Sequence, residues 1–175
     1  MLRYLLISLF VFFVLVSSSR SVFAQSSHVL PYPSFMPGSK LYVFSEIKDM
    51  ISQIFYFGDF GRFKYNLSQS DKYLVEAKTL FEYNQFLLAR DSLEKSNSHF
   101  LKIGPSLINA SKNNKAISEK QNILDSASLK HIEVLEKLKA ELPPKFDWNP
   151  EKDQAQTIEI RKLLENSIKI RTSYD

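Results

Sequence analysis

Three histidines, His28, His99 and His131, carry most of the metal and acid–base chemistry open to this 175-residue chain, which contains no cysteine. His28 lies in a stretch rich in Pro and Ser and reads as an exposed side chain. His99 stands beside Phe100 at the end of a helical pattern, where an imidazole can interact with the last carbonyls. His131 is seven residues from both Leu124 and Leu138. It therefore falls on an apolar helix face and reads as a structural, hydrogen-bonded histidine. None of the three has a second imidazole or thiolate at i+3 or i+4, the spacing that lets one helix face hold zinc. No metal ligand is assigned.

The carboxylates Asp91, Glu94, Glu133, Glu136 and Glu141 alternate with Lys and Arg on helical patterns. Spacings such as Glu133–Lys137 and Glu136–Lys139 describe a solvated, ion-paired face. Serines are many, but none sits in a nucleophile elbow, and no His or Asp spacing supports a triad. With four glycines in the chain there is no Gly-rich phosphate loop. The reading is of a non-enzyme, with no catalytic residue and no cofactor. The aromatic residues say more. Tyr32 and Phe35 lie in "LPYPSFMPGSKLYVF", residues 30–44, and Tyr56 and Phe60 in "FYFGDF", residues 55–60. Large apolar residues are most often core, and Phe44, Ile51 and Phe55 can face the bundle while Tyr56 and Phe60 point elsewhere. The sharper reading makes Tyr32, Phe35, Tyr56 and Phe60 contacts for a protein partner or a membrane surface.

The elements that must position these residues are helical. Residues 25–38 have no period and form an extended lead-in. Ser39 offers an N-cap hydroxyl. Leu41, Phe44, Ile47, Ile51 and Ile54–Phe55 then recur at steps of three and four, one face of an amphipathic helix that Gly58–Asp59–Phe60–Gly61 should end. Phe63, Leu67, Ser70, Leu74, Ala77 and Phe81 form a heptad-like seam. After a phase break it resumes as Phe86, Ala89, Leu93, Asn97, Phe100 and Ile103. Two antiparallel helices joined by a tight turn at Glu82 to Asn84 follow, with Asn84 capping the second. The small residues at the crossing are similar to a tetratricopeptide-type hairpin, without a second copy. Residues 106–115 are polar and expected to fray. A long helix is expected from Ile117 to Leu142, stopped by Pro143–Pro144. Asn149–Pro150–Glu151 then reads as the start of a last helix. No segment alternates as a strand does. The fold expected is all-α, an elongated bundle of about five helices that includes a long antiparallel, tetratricopeptide-like hairpin.

At the N-terminus Arg3 precedes the apolar run Tyr4 to Val16 and small polar residues, the order of a secretory signal peptide. The run is short for a spanning helix, and cleavage is expected after Ala24; an uncleaved anchor is the alternative. Lys and Arg number 23 against 19 Asp and Glu, so losing Arg3 and Arg20 leaves a net charge of +2. That balance and the lack of basic runs argue against nucleic acid as a partner. The domain plan is a signal peptide (1–24), the lead-in (25–38), a helical domain (39–142), a linker (143–149) and a C-terminal helix (150–175). Without cysteine, helix packing must supply the stability.

The stretch "LPYPSFMPGSKLYVFSEIKDMI", followed by "RFKYNLSQSDKYLVEAKTLFEYNQFLLARDSLEKSNSHF" and later "KHIEVLEKLKAELPP", resembles the bacterial family called domain of unknown function 5667, over roughly residues 29–142. The family pattern places Ser-Pro before Leu-Tyr, where this chain has Gly38–Ser39–Lys40. The resemblance implies an exported bacterial protein and carries over no catalytic residue. The function expected is an exported, non-enzymatic binding or structural module of the cell envelope. It would act on a protein partner or by self-association, with membrane contact through an uncleaved leader. The alternatives are an envelope stress or metal-responsive sensor using His99 or His131, and a hydrolase assembled across helices. Pro31, Pro33 and Pro37 stiffen the lead-in, so that Tyr32, Phe35 and Met36 can lie on the helices as a strap. Deleting residues 29–37 is expected to lower the melting temperature, and an unchanged melt would refute the strap.

Overall fold

The computed structural model describes residues 27–152 and 154–173. The leader, with its cleavage point after Ala24, lies outside these residues. Six helices are present among the described residues: α1 (Tyr42–Phe55), α2 (Gly58–Glu82), α3 (Phe86–Phe100), α4 (Ile103–Lys112), α5 (Ser118–Glu141) and α6 (Ile160–Thr172). Between α5 and α6 a small antiparallel hairpin pairs β1 (Phe146–Trp148) with β2 (Gln156–Ile158), Phe146 opposite Ile158. The bundle is helical, as the periodicity predicts. None of the described helices is long and apolar enough to cross a membrane.

The α2–α3 hairpin is the frame. Every seam residue from Phe63 to Phe81 and from Phe86 to Ile103 is buried. Ala77 and Ala89 are sealed completely, and Ser70 and Ser96 bond reciprocally, each hydroxyl donating to the other's carbonyl at 3.0 and 2.8 Å. Two apolar cores flank this crossing. One joins Leu74, Phe81 and Leu93 to Leu135, Ile160 and Leu164, and the other joins Phe63, Phe100 and Leu107 to Leu124.

Four local expectations are corrected. Asn84 does not cap α3; at φ 59° it ends α2, with its N–H on the Phe81 carbonyl and that of Gln85 on Leu80. Asn tolerates this left-handed conformation, which closes orphan carbonyls at a helix end. Of residues 106–115, expected to fray, 106–112 belong to α4, held by the buried Ile103, Leu107 and Ala110, and only 113–115 lie outside it. The last helix does not start at Asn149–Pro150. Residues inside the expected linker pair as β1, where Phe146 meets the Phe86 ring at 4.5 Å, and α6 begins only after Ile158 is buried in the core. Finally, Gly58–Gly61 opens α2 rather than closing α1. Gly58 enters at φ 73°, and a Cβ on Gly61 would lie 2.8 Å from the Tyr56 carbonyl carbon. The corner between α1 and α2 is thus closed backbone to backbone.

The lead-in does form a strap, through Met36 as expected but with Leu30 in place of Tyr32 and Phe35. Leu30 and Met36 pack on the core, whereas Tyr32 is 95% exposed and Phe35 is 47% exposed. Because a side chain at Gly61 would push on backbone, Gly61→Ala is expected to cost about 1–3 kcal/mol. Urea denaturation checks this, and wild-type stability in the variant would mean that the corner is looser than described.

Candidate functional site

Helix α1 attaches to the bundle by its polar side. Turning about 100° per residue, it places Tyr42, Ser45, Glu46 and Asp49 on one side and Phe44, Ile47, Ile51 and Ile54 on the other. The first group meets α2 and α3. The Tyr42 hydroxyl donates to Glu76 at 3.2 Å, and Lys72 Nζ binds both Ser45 Oγ (2.8 Å) and the Asp49 carboxylate. Gln69 reaches Asp49 at 3.2 Å, and Lys95 reaches Glu46 at 3.3 Å. Burial pushes Tyr42 and Tyr73 well above the usual phenol range, and nearby carboxylates add to it. Burial also raises Glu76, against the pull of Lys72.

The apolar side faces outward. Phe44 is 65% exposed, Ile54 74% and Phe57, just past the helix, 84%. Leu41, Val43, Ile47, Met50, Ile51 and Phe55 are exposed as well. Together these side chains expose on the order of 1,000 Å², where the largest patch on an ordinary monomer is a few hundred. The expectation that Phe44, Ile51 and Phe55 face the bundle is therefore overturned. α2 offers α1 a polar row, Gln69, Lys72 and Glu76, at helical spacing, and that row can be satisfied only by the polar side. The spacing of this row is legible in the sequence, but that it is the surface α1 meets is decided by the packing of α1 on α2.

The four aromatic candidates do not converge. Tyr32 lies over the groove between α2 and α5, near Val75 and Val134. Tyr56 and Phe60 sit at the α1–α2 corner, half-buried, Tyr56 with its ring centroid 5.8 Å from that of Tyr65 and Phe60 under Lys115 at 5.6 Å. A cleft of about 620 Å³ opens beside this corner, lined by Tyr56, Tyr65, Asn66, Arg62, Lys102 and His99.

The histidines belong to networks. His28 is not simply exposed, since its Nε2 lies 2.9 Å from Asp71 Oδ2. His131 sits on the other oxygen of Asp71 at 2.7 Å, and its Nδ1 accepts from Arg171 Nε at 3.0 Å. The proton of a neutral His131 is therefore on Nε2. Arg171, which sequence reasoning passed over, is buried. It also donates to Asn97 Oδ1 (2.6 Å), the Ser167 carbonyl (2.8 Å) and Ser96 Oγ (2.9 Å). His99 does not turn to the helix carbonyls with its ring; its Nδ1 lies 3.0 Å from Asn66 Oδ1, and the ring stacks on Tyr73. Among the described residues no group of three His, Asp or Glu is arranged to hold a metal.

Burial lowers His131 to about 4, with Arg171 adding to it and Asp71 opposing, and burial together with Lys102 lowers His99 to about 4. For Asp71 burial acts upward, but hydrogen bonds from His131 and His28 prevail and hold it below the usual carboxylate range. Arg171 is lowered by burial to about 9 and stays charged at neutral pH.

A family model described as Domain of unknown function (DUF5667) matches residues 34–145. No curated protein and no solved structure matches the chain.

The buried His131 and the half-buried His99 are both neutral when folded, so the unfolded chain binds more protons as pH falls. Their contribution is complete above the ordinary histidine value of 6.5 and is lost as pH falls toward 4. The melting temperature is expected to hold above neutrality and to drop through this window. His99→Gln, which keeps a donor for Asn66, should shallow the drop; a profile flat to pH 4 would contradict the neutral assignments.

Proposed function

The chain belongs to the DUF5667 family, and from that premise we propose that it is an exported, non-enzymatic helical module of the bacterial cell envelope that works by docking. The observation that carries this reading is the outward apolar side of α1. Burying that surface would be favourable by the hydrophobic effect alone, at about 25 cal/mol per Å². A helix held to its own bundle by ion pairs, with its apolar side unused, has a surface to offer. The N-terminal order of Arg3, an apolar run and small polar residues supports export. Tyr56 and Phe60 border the docking surface at the end of α1, and Tyr32 and Phe35 supply a second, smaller contact along the strap.

Two measurements test the reading. Expressed with its leader in a bacterium, the protein is expected outside the cytoplasm with an intact mass that begins at Gln25. Retention inside with the leader attached would refute export. The folded protein is also expected to bind an anilinonaphthalene sulfonate dye, and Ile47→Ser with Ile51→Ser should reduce that binding severalfold. A wild type that leaves the dye dark would refute docking through α1.

A further inference from the structure

Resting on that reading, we propose that the occupant of the outward side of α1 is an anionic lipid surface, with the helix lying in the plane of the headgroups. The charge pattern points there. Both acids of α1 are paired with lysines of the bundle, the enclosed Asp49 with Lys72 and the half-exposed Glu46 with Lys95. The charges left on and beside the outer side are Lys40 and Lys48, both exposed and without an ion-pair partner among the described residues. Positive charge at the edge of an apolar stripe is what a negatively charged bilayer attracts, by about 1 kcal/mol per Lys near the surface.

The hydrogen-bonding inventory agrees. A protein interface carries roughly one hydrogen bond per 100–200 Å². Met50, Val43, Ile54, Ile47, Ile51, Phe44 and Phe55 occupy a continuous arc of about 140° at 100° per residue, and none of these side chains donates or accepts. Acyl chains ask for no such groups. A second copy is disfavoured by Lys48, because a two-fold contact centred on α1 would set this mid-helix lysine beside its own copy with every α1 acid already engaged. The geometry suits an in-plane helix. At 14 residues, α1 is about 21 Å long, too short to span but long enough to sink Phe44, Ile47, Ile51 and Phe55 past the headgroups. The polar side stays on α2, so insertion breaks no contact within the protein.

Vesicle co-sedimentation of the exported protein tests the proposal, with phosphatidylcholine and phosphatidylglycerol in equal parts against phosphatidylcholine alone. The wild type should bind the anionic vesicles at least about tenfold more tightly. Ile47→Glu with Ile51→Glu should lose that binding at an unchanged melting temperature, and Lys48→Glu should weaken it about tenfold on the anionic vesicles alone. Binding that survives the double substitution would come from elsewhere in the chain, including any retained leader, and overturns the proposal. So does light scattering that shows a wild-type dimer made monomeric by the double substitution. A wild type that binds the dye but neither vesicle overturns the lipid surface and leaves docking standing; one that binds neither overturns both.

Discussion

A buried guanidinium must be satisfied on nearly every side, and Arg171 imposes that demand on this bundle. Removing such an ion from water costs several kcal/mol unless hydrogen bonds replace the lost solvent. The replacements come from Ser96 and Asn97 on α3, Ser167 on α6 and His131 on α5. His131 in turn is fixed by Asp71 on α2, and Asp71 by His28 of the strap. One chain of polar contacts thus sets the relative position of four helices and the N-terminal segment. An apolar core alone tolerates slippage; a guanidinium with assigned acceptors does not. The Phe100 ring beneath Arg171, 5.0 Å away, adds a cation–π contact in the same layer.

The same logic, moved to the rim of the bundle, explains α1. Lys72 and Glu76 on α2 are nearly enclosed and need partners of opposite charge or with hydroxyls. Tyr42, Ser45 and Asp49 supply them. Docking by the polar side leaves the apolar side outward, at a cost that makes sense for a helix with a second surface to meet. Gly61 lets the backbone of α2 pass close beneath Tyr56, which fixes the angle at which α1 presents that side.

Much of the frame was legible in the residues. The seam through Phe63, Leu74 and Phe81 and its continuation through Leu93 and Phe100 could be read because steps of three and four survive in any helix that buries one side. His131 was placed correctly on the buried side of its helix for the same reason. What could not be read were features whose cause lies far along the chain. Asn84 has the chemistry of either a start or a stop, and only the hairpin's turn decided. Residues 146–148 and 156–158 form no conspicuous strand pattern, yet pair because Phe86 and the core await Phe146 and Ile158. His28 looked idle because its partner lies 43 residues away.

The sequence by itself determined that the chain is helical, where the central hairpin turns and which residues line its seam, since local periodicity carries that information. It also determined that α1 has an apolar and a polar side. Which side faces in was decided only by tertiary structure. Periodicity records a difference between two sides of a helix, whereas orientation depends on what the neighbouring helix presents. Here the neighbour presents charges that can be buried only in company.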